Sequence, residues 1–205
     1  MGQRPTGSIR RESRPRGTAT EQRSIEAAIF ATPLGWIGLA GSGTTVVALT
    51  MGHASAEEVR SSLASRVTDA ELAERDWYPE LRRALERYAQ GQVVDFRQFQ
   101  IDLGPTTEYR KRVLETARRI PYGKTMSYGE LAARSGKPRA ARAVGSAMAS
   151  NSIALLIPCH RVVAAGGAIG GFSCRAGVEL KQRLLEMEAQ GARSKSRGKA
   201  SSRLL

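Results

Sequence analysis

Two clusters of turn-forming residues near the start of the chain constrain its folding more than any other feature. Thr32-Pro33-Leu34-Gly35 and Gly41-Ser42-Gly43 cut the stretch between Ile25 and Thr50 into three short β-type runs, Ile25–Ala31, Trp36–Ala40 and Val46–Thr50. The texture then changes period. Ala54–Ser65 and Asp76–Ala89 repeat apolar residues at helical spacing, the second placing Trp77, Leu81, Leu85 and Tyr88 on one stripe. Phe96–Leu103 alternates apolar and polar residues and reads as another strand. A small α+β domain over residues 25–104 is the expectation, and it contains no repeat and no cofactor fingerprint.

The second half, residues 105–190, is helical in character. Thr106–Arg119 reads as a helix capped by Thr106 or Thr107, with Tyr109, Val113 and Ala117 facing inward. Pro121-Tyr122-Gly123-Lys124 is a turn. Ser127 with Glu130 three residues on is a capping box that opens a short helix. Gly136-Lys137-Pro138 ends it, and a second short helix runs from Arg139 to Ser150 with many small residues. Two short helices across a tight glycine-containing turn fit a helix-turn-helix, and spacing alone fits an ordinary αα-hairpin as well. Arg134, Lys137, Arg139 and Arg142 around the second helix favour DNA.

Charge points the same way. Net charge is +13, unevenly spread: +4 over residues 1–24, −4 over 25–105, +8 over 106–190 (fourteen basic against six acidic residues) and +5 over 191–205. A polyanion on the C-terminal half follows, although an arginine-rich surface can also serve solubility alone. Residues 1–24 lack apolar periodicity and read as a flexible basic arm, and 191–205 as a basic disordered tail, either of which could tether DNA nonspecifically. With 41% hydrophobic and 25% charged residues, wholesale disorder is excluded. The longest apolar runs are far too short to span a membrane, and no signal-peptide core is present, so a cytoplasmic, nucleoid-associated protein is expected. Two cysteines and two histidines build neither a disulfide framework nor a convincing zinc site, so no metal and no cofactor are expected. His53 reads as a surface or loop histidine and Cys174 as a bystander thiol. The glycine-rich run 166–171 fits neither dinucleotide nor phosphate-loop spacing, and reads as a flexible pocket wall.

The chemistry-bearing stretch runs from Asn151 to Val163. Cys159 lies between Pro158 and His160, directly after the apolar run Ile153–Ile157. It could be a buried structural cysteine. It could also be a nucleophile, because a neighbouring imidazole or cation makes a thiol reactive as its thiolate. Neighbours in an extended segment face opposite sides, so a water bridge between Cys159 and His160 is expected rather than a direct bond.

Ile157-Pro158-Cys159-His160-Arg161-Val162 resembles the active-site motif of the O6-alkylguanine-DNA alkyltransferases. Ile120-Pro121-Tyr122-Gly123-Lys124-Thr125 and Ser127-Tyr128-Gly129-Glu130-Leu131-Ala132 are similar to that family's approach to its helix-turn-helix. Ala141 through Met148 is similar to its recognition helix, and Gly166–Ser173 and Lys181–Glu188 to the C-terminal part of its pocket. The resemblance is strong over residues 106–190. Over 25–105 it is weak, resting on Thr32-Pro33-Leu34-Gly35-Trp36.

The resemblance implies an α+β fold, with a small ribonuclease H-like sheet domain and a helical domain carrying a winged-helix-like helix-turn-helix. It implies direct-reversal repair, in which an alkyl group moves irreversibly from O6 of guanine, and from O4 of thymine, to Cys159 of a flipped-out base. His160 would take the thiol proton through water, with Glu188 orienting the imidazole. Asn151 would tie the hinge turns together, and Tyr128 would assist the leaving guanine. Arg142 would fill the gap in the stack, with Ala140, Ala141, Ala143 and Gly145 allowing close approach in the minor groove. Ser173, Phe172, Val162 and Met148 would shape the substrate pocket. The partner would be double-stranded DNA, bound with little regard to sequence by a monomer, cooperativity along the DNA being left open. Phe172 stands where many members have Tyr, and Ser152 where Pro is common. A non-repairing lesion-recognition protein lacks the acceptor cysteine. A helix-turn-helix regulator would need a dimerisation helix, and a Cys–His hydrolase would turn over repeatedly.

Overall fold

The computed structural model describes residues 24–67, 70–172, 174 and 176–201, the last six as backbone only. The two turn clusters act as expected. They join β1 (Ser24–Thr32), β2 (Gly35–Ser42) and β3 (Thr45–His53) into an antiparallel meander. After α1 (Ala56–Ala64), strand β4 (Glu71–Glu74) returns parallel to β1; α2 (Pro79–Ala89) and a 3₁₀ turn at Phe96–Gln98 lead to β5 (Gln100–Ile101), parallel to β3. The five-stranded mixed sheet has the order β4-β1-β2-β3-β5.

Strand period two sends alternate residues to opposite faces. Ala27, Ala40 and Ala48 meet Val59 and Leu63 of α1 on one face, while Phe30, Leu39, Leu49 and Met51 join the main core on the other. Small residues under α1 let it lie close. A Cβ at Gly38 would sit 2.2 Å from Val59 Cγ1, so only glycine fits beneath that helix.

The C-terminal half packs α3 (Glu108–Arg118), α4 (Tyr128–Arg134) and α5 (Ala141–Ala149) beside a two-stranded parallel sheet, β6 (Met126–Ser127) with β7 (Val162–Val163). Thr107 is the cap of α3, and Ser127 with Glu130 forms the anticipated capping box of α4. One core runs through both halves: Tyr88, Leu131, Ile153, Cys159 and Leu184 belong to the same buried cluster. The seam at residue 104 is therefore not a break in packing.

Three expectations need correction, and one element was not foreseen. Of Phe96–Leu103 only Gln100–Ile101 is strand; Phe96–Gln98 form a 3₁₀ turn that lets Phe96 and Phe99 both be buried. Strand β4 is polar (ELAE) at a sheet edge and carries no alternation to read. The tail expected from residue 191 is helical to Ser201, since α6 spans Gly177–Ser201 and Leu180, Leu184 and Glu188 line its buried side. His53 is not on the surface; it is 4% exposed, with Nε2 2.7 Å from Thr50 Oγ1. The arm ahead of Ser24, residues 202–205 and Ser173 lie outside the described residues. Among the described residues, no helix is long and apolar enough to cross a membrane.

Candidate active site

The segment leading to Cys159 is held from both sides. Leu49 N–H donates to Ser152 O (2.8 Å) and Ala154 N–H to Leu49 O (3.1 Å), so β3 of the first half grips the 152–154 stretch. Asn151 grips it from within. Its Nδ2 donates to Ile157 O (3.0 Å) and its Oδ1 accepts from Ile153 N–H (3.1 Å), closing the hinge turns on themselves. Leu155 occupies the left-handed region at φ 64°, a conformation that costs about 1 kcal/mol or more in a non-glycine residue. Such a turn persists only because the clamps on either side determine it.

Residues Cys159–Arg161 form one 3₁₀ turn and not the extended segment expected from sequence. At three residues per turn, neighbours diverge by about 120°. Cys159 accordingly lines a cavity of about 230 Å³ with Tyr128, Gly145, Met148, Ala149, Gly171 and Phe172, and His160 is not among the lining residues. Val162 is also absent from that wall. Its side chain is fully buried in the core, because β7 pairs with β6 and turns it inward, and its carbonyl accepts from Lys181.

Behind the cavity is a buried polar knot. His160 Nε2 lies 2.9 Å from Glu188 Oε1, and both side chains are 1% exposed. Glu188 also accepts from Arg161 Nε and Nη2 (3.0 and 2.8 Å), Tyr88 Oη (2.7 Å) and Gly123 N–H (3.0 Å). A carboxylate facing Nε2 places the imidazole proton there and leaves Nδ1 as a bare acceptor, an assignment made from the hydrogen-bond network. Nδ1 is buried and has no partner among the described residues. A base whose free lone pair is set by the group behind it is the triad arrangement of nucleophilic enzymes.

Electrostatics follows from this burial. Desolvation opposes the charge on Glu188, yet His160 and Arg161 overcome it and hold the carboxyl far below its usual range. Burial lowers the pKa of His160, with Glu188 opposing. Burial raises the Cys159 thiol, while the Asn151 amide and the Lys181 ammonium pull the other way. Lys181 is itself fully buried, and its Nζ donates to Val162 O (2.6 Å) and Gly171 O (3.0 Å). Burial and the charge of the nearby Cys159 thiolate both raise Tyr128, which shares the cavity.

Arg142 and Ala143 are exposed on α5, and Ala140 and Ala141 are half-buried at its start. Arg142 has no carboxylate partner among the described residues. Among those residues no group of three or more His, Cys, Asp or Glu is placed to hold a metal ion. Sequence reasoning missed Tyr88, Arg161 and Lys181. Tyr88 was read as one member of an apolar stripe, and the clue was its hydroxyl, which a buried position obliges to find a partner. Arg161 is a charge between the apolar run 153–157 and Val162-Val163, which burial must pair, while Lys181, flanked by Glu179, Gln182 and Arg183, carries no such clue. Tyr88→Phe should lower unfolding stability by about 1.5–3 kcal/mol, the loss of one buried hydrogen bond to a charged group. Urea denaturation of the two proteins reads this directly, and an unchanged midpoint would deny the hydroxyl that role.

Comparison with known proteins points to one family. The family model "6-O-methylguanine DNA methyltransferase, DNA binding domain" matches residues 108–190. The chain is 37% identical over 164 residues to the methylated-DNA–protein-cysteine methyltransferase of Methanosarcina acetivorans, covering 78% of this chain and 96% of that one. It is 38% identical to the protein of the same name from Mycobacterium leprae, covering 77% and 88%. Among solved structures, Mycobacterium tuberculosis OGT in complex with DNA matches with a TM-score of 0.67 at 32% identity, covering 81% of this chain and 94% of that one. The O6-methylguanine-DNA methyltransferase of Pyrococcus kodakaraensis matches at 0.59 and 27%, covering 80% and 98%.

Proposed function

The chain belongs to the methylated-DNA–protein-cysteine methyltransferase family, which repairs DNA by transferring an alkyl group to a protein cysteine, and from that premise we propose how its own residues divide the work. The observation that carries the reading is the pairing of Cys159, in the cavity beside α5, with a His160–Glu188 couple buried behind it.

The O6-alkyl carbon of a stacked guanine is out of reach of a buried thiol, so the nucleotide rotates out into the cavity. Arg142, exposed and with no carboxylate partner among the described residues, enters the stack in its place, where its planar guanidinium can bond the orphaned base. Gly145 lines the cavity, and a Cβ there would touch no protein atom within 4 Å. Glycine inside a helix costs about 0.5–1 kcal/mol, so packing within the protein does not account for it, and close approach of the DNA backbone does.

In the chemical step the thiol proton passes through a water to His160 Nδ1. The thiolate attacks the alkyl carbon in line, a sulfur–carbon bond forms, and the carbon–O6 bond breaks toward guanine. Tyr128 Oη donates toward the departing base, and its raised pKa keeps it protonated for that task. Lys181 and the Asn151 amide support the thiolate. The thioether has no exit, so each molecule reacts once. O4-alkylthymine presents a similar carbon and would be a second substrate.

Residues 25–104, with a ribonuclease H-like sheet, act as framework, and 105–190 bind and repair, the β6–β7 pair beside α4 and α5 serving as the wing. The protein acts as a monomer wherever the cell keeps its DNA, in the cytoplasm and on the nucleoid. Intact-mass measurement with excess O6-methylguanine duplex should show one added methyl group, saturating at one equivalent and mapping to Cys159. Lesion binding with no mass gain would overturn repair. Arg142→Ala should slow transfer from duplex by about tenfold to hundredfold, since unstacking costs a few kcal/mol. Transfer from a single-stranded oligonucleotide should change far less, and equal losses on the two substrates would deny Arg142 its role in flipping.

A further inference from the structure

A second, larger cavity of about 440 Å³ opens behind the Pro158–Arg161 segment and shares no lining residue with the Cys159 cavity. Its walls come from residues 93–97, the end of α3 with the following turn, the approach to Cys159, and α6 at Ala192 and Lys195. No residue of α4 or α5 lines it, so the DNA those helices would hold is not its natural occupant.

The lining joins an apolar part, with Val94, Ile120, Leu156 and Pro158, to an excess of positive charge. Asp95, the one acid in it, is taken up by Arg97 (2.6 Å), which holds its carboxyl down at about 2. Arg161 is balanced by Glu188. Arg118 and Lys195 remain. Arg118 Nη2 donates only to the carbonyls of Arg97 and Phe99, and its buried Nε has no partner among the described residues. Neither Arg118 nor Lys195 meets a carboxylate among the described residues. Burial pulls Arg118 below its usual range, and the charges of Asp95 and Glu115, neither in contact with it, offset that only in part.

We propose that this cavity is a second ligand site, for a small apolar or aromatic molecule bearing one carboxylate that is set against Arg118 and Lys195. A planar carboxylate matches a guanidinium in two parallel hydrogen bonds, and the apolar lining takes the body. The size lies within the ordinary range of small-molecule sites, which is about 300–1,000 Å³. Binding there does not depend on the state of Cys159.

The test is titration of 2-naphthoate into the full-length protein, before and after Cys159 has been alkylated, followed by calorimetry. Saturable one-to-one binding that survives alkylation is expected. 2-Naphthamide, similar in shape without the charge, should bind about tenfold more weakly, as should 2-naphthoate to Arg118→Gln. Because Arg118 also holds backbone carbonyls, Lys195→Gln on the exposed end of α6 supplies a variant that cannot fail by unfolding, and it too should weaken binding. Equal affinity for the amide, no saturable binding, or unaltered binding by Lys195→Gln would overturn the proposal. So would loss of binding on alkylation, which would place the probe in the Cys159 cavity. Displacement by undamaged duplex would make this face a nucleic-acid surface and overturn it equally.

Discussion

Glu188→Gln should cost about 3–5 kcal/mol of unfolding free energy, far more than its modest change of shape. The carboxylate is 1% exposed and accepts from His160, Arg161, Tyr88 and Gly123 at once. Glutamine keeps the volume but brings an NH₂ group among donors and leaves Arg161 as a buried charge without its counter-charge. Removing one partner of a buried pair is the expensive case, because the other cannot return to water. For a domain of this size the loss corresponds to a fall in Tm of about 6–20 °C. Arg161→Met together with Glu188→Gln should recover part of it, since both charges then go. The pH dependence has a definite sign. The folded carboxyl sits below its unfolded value of about 4.3, so its contribution is complete above that pH and is lost as pH falls toward the folded value. Wild type and variant should therefore differ most near neutrality and converge in strong acid. A neutral-pH loss under about 1 kcal/mol would mean that water reaches Arg161 and that the knot is not sealed.

How much of this could be read from the residues depends on the range of the interactions involved. The meander was legible because Pro33, Gly35 and Gly41–Gly43 impose local turn chemistry, and the start of α4 because a capping box spans four residues. Cys159 and His160 were legible locally as one of two readings, nucleophile or buried structural thiol, whereas Glu188 was legible only through resemblance. Local spacing placed the first two on opposite sides of an extended segment, whereas Pro158 starts a 3₁₀ turn. Tyr88, 100 residues from Glu188 in sequence, had no local signal beyond a stripe it shares with Leu81 and Leu85. Lys181 and Arg161 are satisfied by the carbonyls of Val162, Gly171 and Ile120, contacts between distant parts of the chain that only folding brings together. The helical end of α6 was hidden for the opposite reason. Its basic composition resembles a tail, while Leu180, Leu184 and Glu188, spaced four apart, were the helical signal within it.

Cys159→Ser should reduce alkyl transfer at least about ten-thousand-fold while lesion-containing duplex still binds. The comparison isolates the thiol, because oxygen and sulfur at this position see the same cavity, the same Asn151 and Lys181, and the same imidazole. A free thiol ionises near 8.5 and a hydroxyl about seven units higher, if water at 15.7 is taken as the guide. The alkoxide population therefore falls about ten-million-fold, and even a gain in nucleophilicity with basicity as steep as that among thiolates, a Brønsted coefficient of about 0.4–0.5, restores at most about half of that in logarithmic terms, so about ten-thousand-fold is the smallest loss expected. A variant reacting within about tenfold of wild type would show that the group goes elsewhere, whereas Cys174→Ser should leave the rate unchanged. In wild type, acid should slow transfer only once His160 gains a proton. Burial pushes that imidazole below its ordinary pKa near 6.5, with the charges of Arg161 and Lys181 acting in the same direction against Glu188. Quenched single-turnover rates should therefore hold level from pH 8 down past 6.5 and fall only below it. A decline that begins above 7 would mean that the thiol loses its proton to bulk solvent rather than to Nδ1 of His160.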